Sequence, residues 1–178
     1  MAINFRRVRA ASAMLLALAA PLLSGAMSFR DNAETRWLAT HNRERATIGL
    51  PPMAWDTALA RDALGWAQHL AKTGTFDHSP DDPDDDPNAQ GENLWGGTRG
   101  HYAPEAMVDR WIAEKVNYRP AAIPYSSKTG NFEDVGHYTQ VMWRHTRHVG
   151  CAMATGAEFD ILVCRYRQAG NVEGERPF

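Results

Sequence analysis

The chain is short of several things, and each shortage removes a class of function. It has no basic excess: 19 Lys and Arg stand against 21 Asp and Glu, for a net charge of −2. A general nucleic-acid binder needs a positive patch to neutralise phosphates, so that class is set aside. After the first 26 residues, no apolar run reaches the ~20 residues that cross a bilayer, so no stable membrane span is expected once those residues are removed. No His-Glu-x-x-His helix motif, Gly-x-Ser-x-Gly elbow or glycine-rich phosphate loop is present, and no internal repeat is visible. Cysteine is limited to Cys151 and Cys164, an even pair that leaves no orphan thiol.

What is there begins with an export signal. Arg6, Arg7 and Arg9 form a positive segment, Ala10 to Leu23 is apolar, and Ser24-Gly25-Ala26 fits a small-x-small cleavage site. The alternative, an uncleaved anchor, would need a longer apolar run. Residues 1–26 are therefore read as a signal peptide and 27–178 as one domain, secreted or periplasmic. Cleavage removes three arginines and no acids, which leaves 16 Lys and Arg against 21 Asp and Glu. A processed chain of about 150 residues suits one domain with a substantial core. Export permits a disulfide. Both cysteines sit in strand-like runs, Gly150 to Met153 and Ile161 to Tyr166, which favours a cross-strand staple over a Cys-His nucleophile. A bridge closing so short a loop contributes on the order of 3 kcal/mol.

Hydrophobic spacing predicts a first helix from about Ser28 to Ile48, with Trp37, Leu38, His41 and Ile48 near one face. A second starts at Asp56 as N-cap, repeats Leu59, Ala63, Trp66, Ala67 and Leu70 at helical spacing, and ends by Gly74. Thr75 to Gln90 is a polar loop. Its acidic centre, Asp81 to Asp86, lacks the spacing of a calcium loop and reads as solvated. Pro104 can open a third helix that runs to about Asn117. Gly96 to Gly100 reads as a turn-rich linker and Tyr118 to Val135 as a long loop. His137 to Trp143 is a short helix, and His148 to Ala154 and Glu158 to Tyr166 are strands. Helices on both sides of a small, mostly antiparallel sheet would bury these faces, giving an α/β sandwich. Six tryptophans are many for a chain of this size, and helical spacing predicts that most are core.

Four ionisable residues stand among apolar or turn residues. His137 follows Gly136, whose freedom would let the backbone aim the imidazole inward, and lies four residues from Val141. Glu114 continues the Met107, Trp111 stripe of the third helix. Glu92 opens an apolar segment behind Gly91, and His78 follows helix two. Taken singly, each is equally a solvated residue or a hydrogen-bonded core histidine.

Their surrounding motifs carry a resemblance. Gly136-His137-Tyr138-Thr139-Gln140-Val141-Met142-Trp143 resembles the first signature of the CAP superfamily: cysteine-rich secretory proteins, antigen 5 and pathogenesis-related 1 proteins. Gly91-Glu92-Asn93-Leu94 is similar to its Gly-Glu-Asn motif, and His41-Asn42-x-x-Arg45 with Gly49-Leu50-Pro51-Pro52 to its first-helix region. Cys164-Arg165-Tyr166 through Gly170-Asn171 resembles the second signature, with Ala169 where proline is usual. The resemblance spans Ala33 to Asn171 and implies a three-layer α-β-α sandwich, a Cys151–Cys164 pair, and a cleft lined by His78, Glu92, Glu114 and His137. The acidic insertion between His78 and Glu92 departs from the family pattern.

Such a set suits zinc or another divalent metal, with His78 and His137 as ligands and Glu92 and Glu114 orienting them or holding a bound water. Protonating the imidazoles, near the usual ~6.5, would release the ion. The resemblance also implies binding of lipids, sterols or extracellular proteins. An extracellular binding module is thus one reading. The alternative is a metal-dependent, protease-like hydrolase with Glu92 or Glu114 as base, and a glycosidase couple is a third use of paired glutamates. His41, Asn42 and Arg45 read as structural ties from the inner face of helix one.

Overall fold

Capping chemistry decides where the second helix begins and ends. Asp56 holds extended backbone, and its side chain accepts from the amides of Ala58 (2.8 Å) and Leu59 (3.2 Å). Gly74 stops the helix in the left-handed region, φ 75°, and its N–H returns to the Leu70 carbonyl. The computed structural model describes residues 25–80 and 89–178, with side chains from residue 33 onward. Most of the expected signal segment, 1–26, and the acidic run Asp81–Asp86 lie outside the described residues.

Helix α1 is Gly25–Ala46, followed by strand β1 (Ala54–Trp55), helix α2 (Thr57–Thr73), strand β2 (Gly91–Thr98) and helix α3 (Pro104–Ala113). Helix α4 (Gly136–Val141) precedes strands β3 (His148–Thr155) and β4 (Phe159–Arg167). The sheet order is β1-β3-β4-β2, with β1 parallel to β3 and the other neighbours antiparallel. Alternation along the strands divides the interior into two cores. On one side Cys151, Leu162, Cys164 and Tyr166 pack with Trp37, Met107, Trp111 and Tyr138 of α1, α3 and α4. On the other, Leu94, Ile161 and Val163 meet Ala63, Ala67 and Leu70 of α2. This is the three-layer α-β-α sandwich.

Three expectations need correction. Gly96–Thr98 is strand, not linker, because Gly96, Gly97 and Thr98 stay in register with Ile161, Asp160 and Phe159. Helix α3 stops at Ala113 and tightens into a 3-10 turn over Glu114–Asn117. Ile48 is exposed, since α1 has already ended and the chain turns back through Leu50 N–H to Arg45 O (3.1 Å). The cysteines do pair: Cys151 and Cys164 lie directly opposite across β3 and β4 and are disulfide-bonded, which removes the thiol nucleophile.

The polar motif of α1 is spent on backbone. Asn42 accepts from Met53 N–H (2.8 Å) and donates to Met53 O (2.9 Å). The fully buried Arg45 guanidinium donates to the carbonyls of Pro51 (2.9 Å), Val141 (2.9 Å), Trp143 (3.0 Å) and Thr146 (3.1 Å), tying α1 to the segment after α4. Burial lowers its pKa to about 10, which leaves it charged at neutral pH. His41 Nδ1–H donates to Trp37 O (2.8 Å), so Nε2 holds a lone pair and accepts from the Tyr166 hydroxyl (2.9 Å). Burial drives the His41 pKa down to about 4.

Two stability predictions follow from this packing. A depressed histidine makes the unfolded chain the stronger proton binder between its two pKa values, so stability falls as pH drops from 6.5 to about 4. The loss from His41 is about 3 kcal/mol, and His41→Gln should flatten the urea-unfolding profile across that window. Unchanged pH dependence would contradict the neutral assignment. Separately, a Cβ on Gly150 would lie 2.2 Å from Ala60 N, whereas one on Gly65 meets nothing within 4 Å. Gly150→Ala should therefore cost about 3 kcal/mol and Gly65→Ala gain up to ~1 kcal/mol, read by thermal unfolding.

Candidate functional site

Glu114 sits where α3 tightens, and that change of helical pitch turns its carboxylate toward α4. Its Oε1 accepts from His137 Nδ1 (2.6 Å), and its Oε2 accepts the Tyr138 amide (3.1 Å). The His137 ring stacks on Trp111 at 6.0 Å and 11°. Gly136 is not in the left-handed region, so its backbone freedom is not what aims His137. The aim comes from Glu114, from Asn171 Nδ2 donating to Gly136 O (2.9 Å), and from Asn93 Nδ2 donating to His137 O (3.2 Å). Asn93 also donates to the Tyr166 hydroxyl (3.2 Å), which in turn donates to His41. Asn93 thus donates in two directions and links the α4 backbone, through Tyr166 and His41, to α1. Burial raises the Tyr166 pKa well above the phenolic range, which keeps this hydroxyl a donor.

Glu92 forms the second pair. Its Oε1 accepts from His78 Nδ1 (2.6 Å) and from the Ser79 amide (3.1 Å), while Oε2 lies 2.9 Å from Arg165 Nη2. That last contact is an ion pair without hydrogen-bond alignment. The Glu92 side chain is 7% exposed and the His78 side chain 62%. His78 is carried on an irregular segment that Trp66 Nε1 holds through Asp77 O (3.1 Å).

The structure therefore joins the four predicted residues as two bonded pairs. Glu92 and Asn93 are neighbours on edge strand β2 and point to opposite faces, so the pairs approach the Gly91 end of that strand from different sides. Among the described residues, no three His, Cys, Asp or Glu side chains group closely enough to hold an ion by themselves. Each imidazole turns Nδ1 toward a carboxylate, so in the neutral ring the proton sits on Nδ1. The sequence motifs contain Arg165, Asn93 and Tyr166 but assign none of them a role at the site. A basic residue at an inward position of β4, opposite Glu92, was the available signal.

An apolar groove lies elsewhere. A cavity of about 610 Å³ opens between the C-terminal end of α2 and the β3–β4 turn, lined by Leu70, Ala71, Phe159 and Ile161, with Phe76 and Gly96 at its other wall. Phe76 and Phe159 are each more than half exposed there.

This architecture and its motifs match known proteins. The family profile described as Cysteine-rich secretory protein family, CAP, covers residues 38–166. Pathogenesis-related leaf protein 4 of Solanum lycopersicum is 34% identical over 149 residues, 83% of this chain and 85% of the relative. Pathogenesis-related protein 1 of Arabidopsis thaliana is 34% identical over 144 residues, 80% of each. Among solved structures, NaASP2, determined with Zn2+, superposes with a TM-score of 0.67 at 23% identity over 83% of this chain and 85% of that one. Na-ASP-1 gives 0.66 at 19% identity over 83% of this chain and 41% of that one. With motifs, fold and 34% identity in agreement, the chain belongs to the CAP family of cysteine-rich secretory proteins.

Proposed function

We propose that the chain is exported with cleavage after Ala26 and acts outside the cytoplasm, secreted or periplasmic, as a binding module that holds a divalent metal on His78 and His137. The observation that carries this reading is the pair of 2.6 Å bonds from the two Nδ1 atoms to Glu92 and Glu114, the carboxylate contact that orients a metal-ligating imidazole. The donor set fits zinc in kind, and NaASP2 was crystallised with that ion. It is short in number: two nitrogens fall below the three or four protein ligands of most zinc sites, so a bound ion keeps solvent ligands and exchanges readily. Bound there, the ion would supply a Lewis-acid centre for a partner's oxygen or carboxylate.

The hydrolase alternative needs a carboxylate aimed at water. Both oxygens of Glu114 and one of Glu92 already accept hydrogen bonds, and the other Glu92 oxygen faces Arg165. Carboxylates so occupied serve as anchors, which favours binding over general-base chemistry. The open groove beside Phe76 and Phe159 supports a lipid or sterol as the bound partner, because its volume suits a small apolar ligand.

Two experiments test these assignments. Calorimetry of the processed protein with zinc should show binding at pH 7.5, loss at pH 5, and loss in His78→Ala/His137→Ala; equal affinity at both pH values, or none at either, removes the metal. A labelled fatty acid or sterol should bind that double variant undiminished and bind Phe76→Ser/Phe159→Ser at least tenfold more weakly. Equal affinity in wild type and the phenylalanine variant would take the groove out of the account.

A further inference from the structure

The two histidines are held in different ways, and the difference points at Arg165. His137 sits in helix α4, where Glu114, Asn93, Asn171 and the Trp111 ring fix its surroundings from three elements. His78 lies outside regular structure and is largely exposed, and its segment docks on Glu92 through both its imidazole and the Ser79 amide. Glu92 is itself almost fully buried. A buried carboxylate is stable only against a partner, and here the Arg165 guanidinium, 12% exposed, stands opposite it across the β2–β4 ladder. Among the described residues Glu114 has no comparable cation: its second oxygen takes a backbone amide.

We infer that Arg165 is a positioning residue for His78: its ion pair with Glu92 Oε2 holds that carboxylate so that Oε1 captures the His78 Nδ1–H. The inference rests on the reading of His78 as a ligand, yet it concerns the metal-free protein and can be tested there. Arg165 lies in β4 and faces α2, away from the core that holds Tyr166 and the His137 backbone. Its influence therefore reaches one histidine and not the other.

The test is imidazole nitrogen NMR of the metal-free protein at pH 8. In the wild type both histidines should show the Nδ1–H tautomer. Arg165→Gln should shift His78 several-fold toward Nε2–H while His137 keeps its signals, and Arg165→Lys, which retains charge but not the planar fork, should be intermediate. Glu92→Gln should produce a comparable His78 change, to which Arg165→Gln adds nothing. An unchanged His78 ratio in folded Arg165→Gln, or equal shifts at both histidines, overturns the inference. Should Arg165→Gln not fold, Arg165→Lys decides: a partial shift confined to His78 supports the assignment and an unchanged ratio overturns it. Zinc affinity, measured in parallel, should fall about tenfold in Arg165→Gln; absence of zinc binding in the wild type would count against the metal reading and leave the tautomer result standing.

Discussion

Because Glu92 faces Arg165 and Asn93 faces Cys164 across the β2–β4 ladder, that register sets what each face of the sheet offers the site. A slip of one residue would exchange the two faces. Glu92 would then enter the core that Tyr166 occupies, and Asn93 would lose its reach to the α4 backbone. β4 is itself fixed against β3 and α2. The disulfide joins β4 to β3 at the residue directly opposite, and Gly150, across from Arg165, leaves room for α2 to press against the sheet. Edge strand β2 is further held by the Trp111 indole, which donates to Leu94 O at 3.0 Å.

From this frame the two carboxylates acquire one shared task. Each accepts an imidazole proton and the next residue's backbone amide at the same distances, 2.6 Å and 3.1 Å, Glu92 with Oε1 alone and Glu114 with one oxygen for each. In the proposed metal reading, the repetition on unrelated elements, an irregular segment in one case and a helix start in the other, meets one chemical need. An imidazole that presents one nitrogen to a ligand must have the other committed. Inside the domain, polar groups of α1 do parallel work on the backbone, with Arg45 satisfying four carbonyls and His41 kept neutral as an acceptor.

Much of this was legible in the sequence, for physical reasons that can be named. The N-cap at Asp56, the stop at Gly74, the period of α2 and the strand-like runs of β3 and β4 are local signals, and the structure follows them. The four candidate residues were singled out through their motifs. How they are joined was not legible, because the His78–Glu92 and Glu114–His137 bonds cross 14 and 23 residues of chain. β2 was half seen: its glycines imitate a turn, and only pairing with β4 shows them to be strand. The freedom ascribed to Gly136 was a plausible local reason for the aim of His137, but tertiary partners supply it. Arg165 escaped notice because its meaning lies in the residue opposite.

The central claim is that two histidines, each anchored through Nδ1, offer their Nε2 atoms to one cation. Anomalous diffraction at the zinc edge, from crystals of the processed protein grown with the metal, tests it most directly. The account predicts a peak bonded to Nε2 of both His78 and His137, with Glu92 and Glu114 still on the Nδ1 atoms. A peak on the carboxylates, on one histidine alone, or at a site remote from both would contradict it.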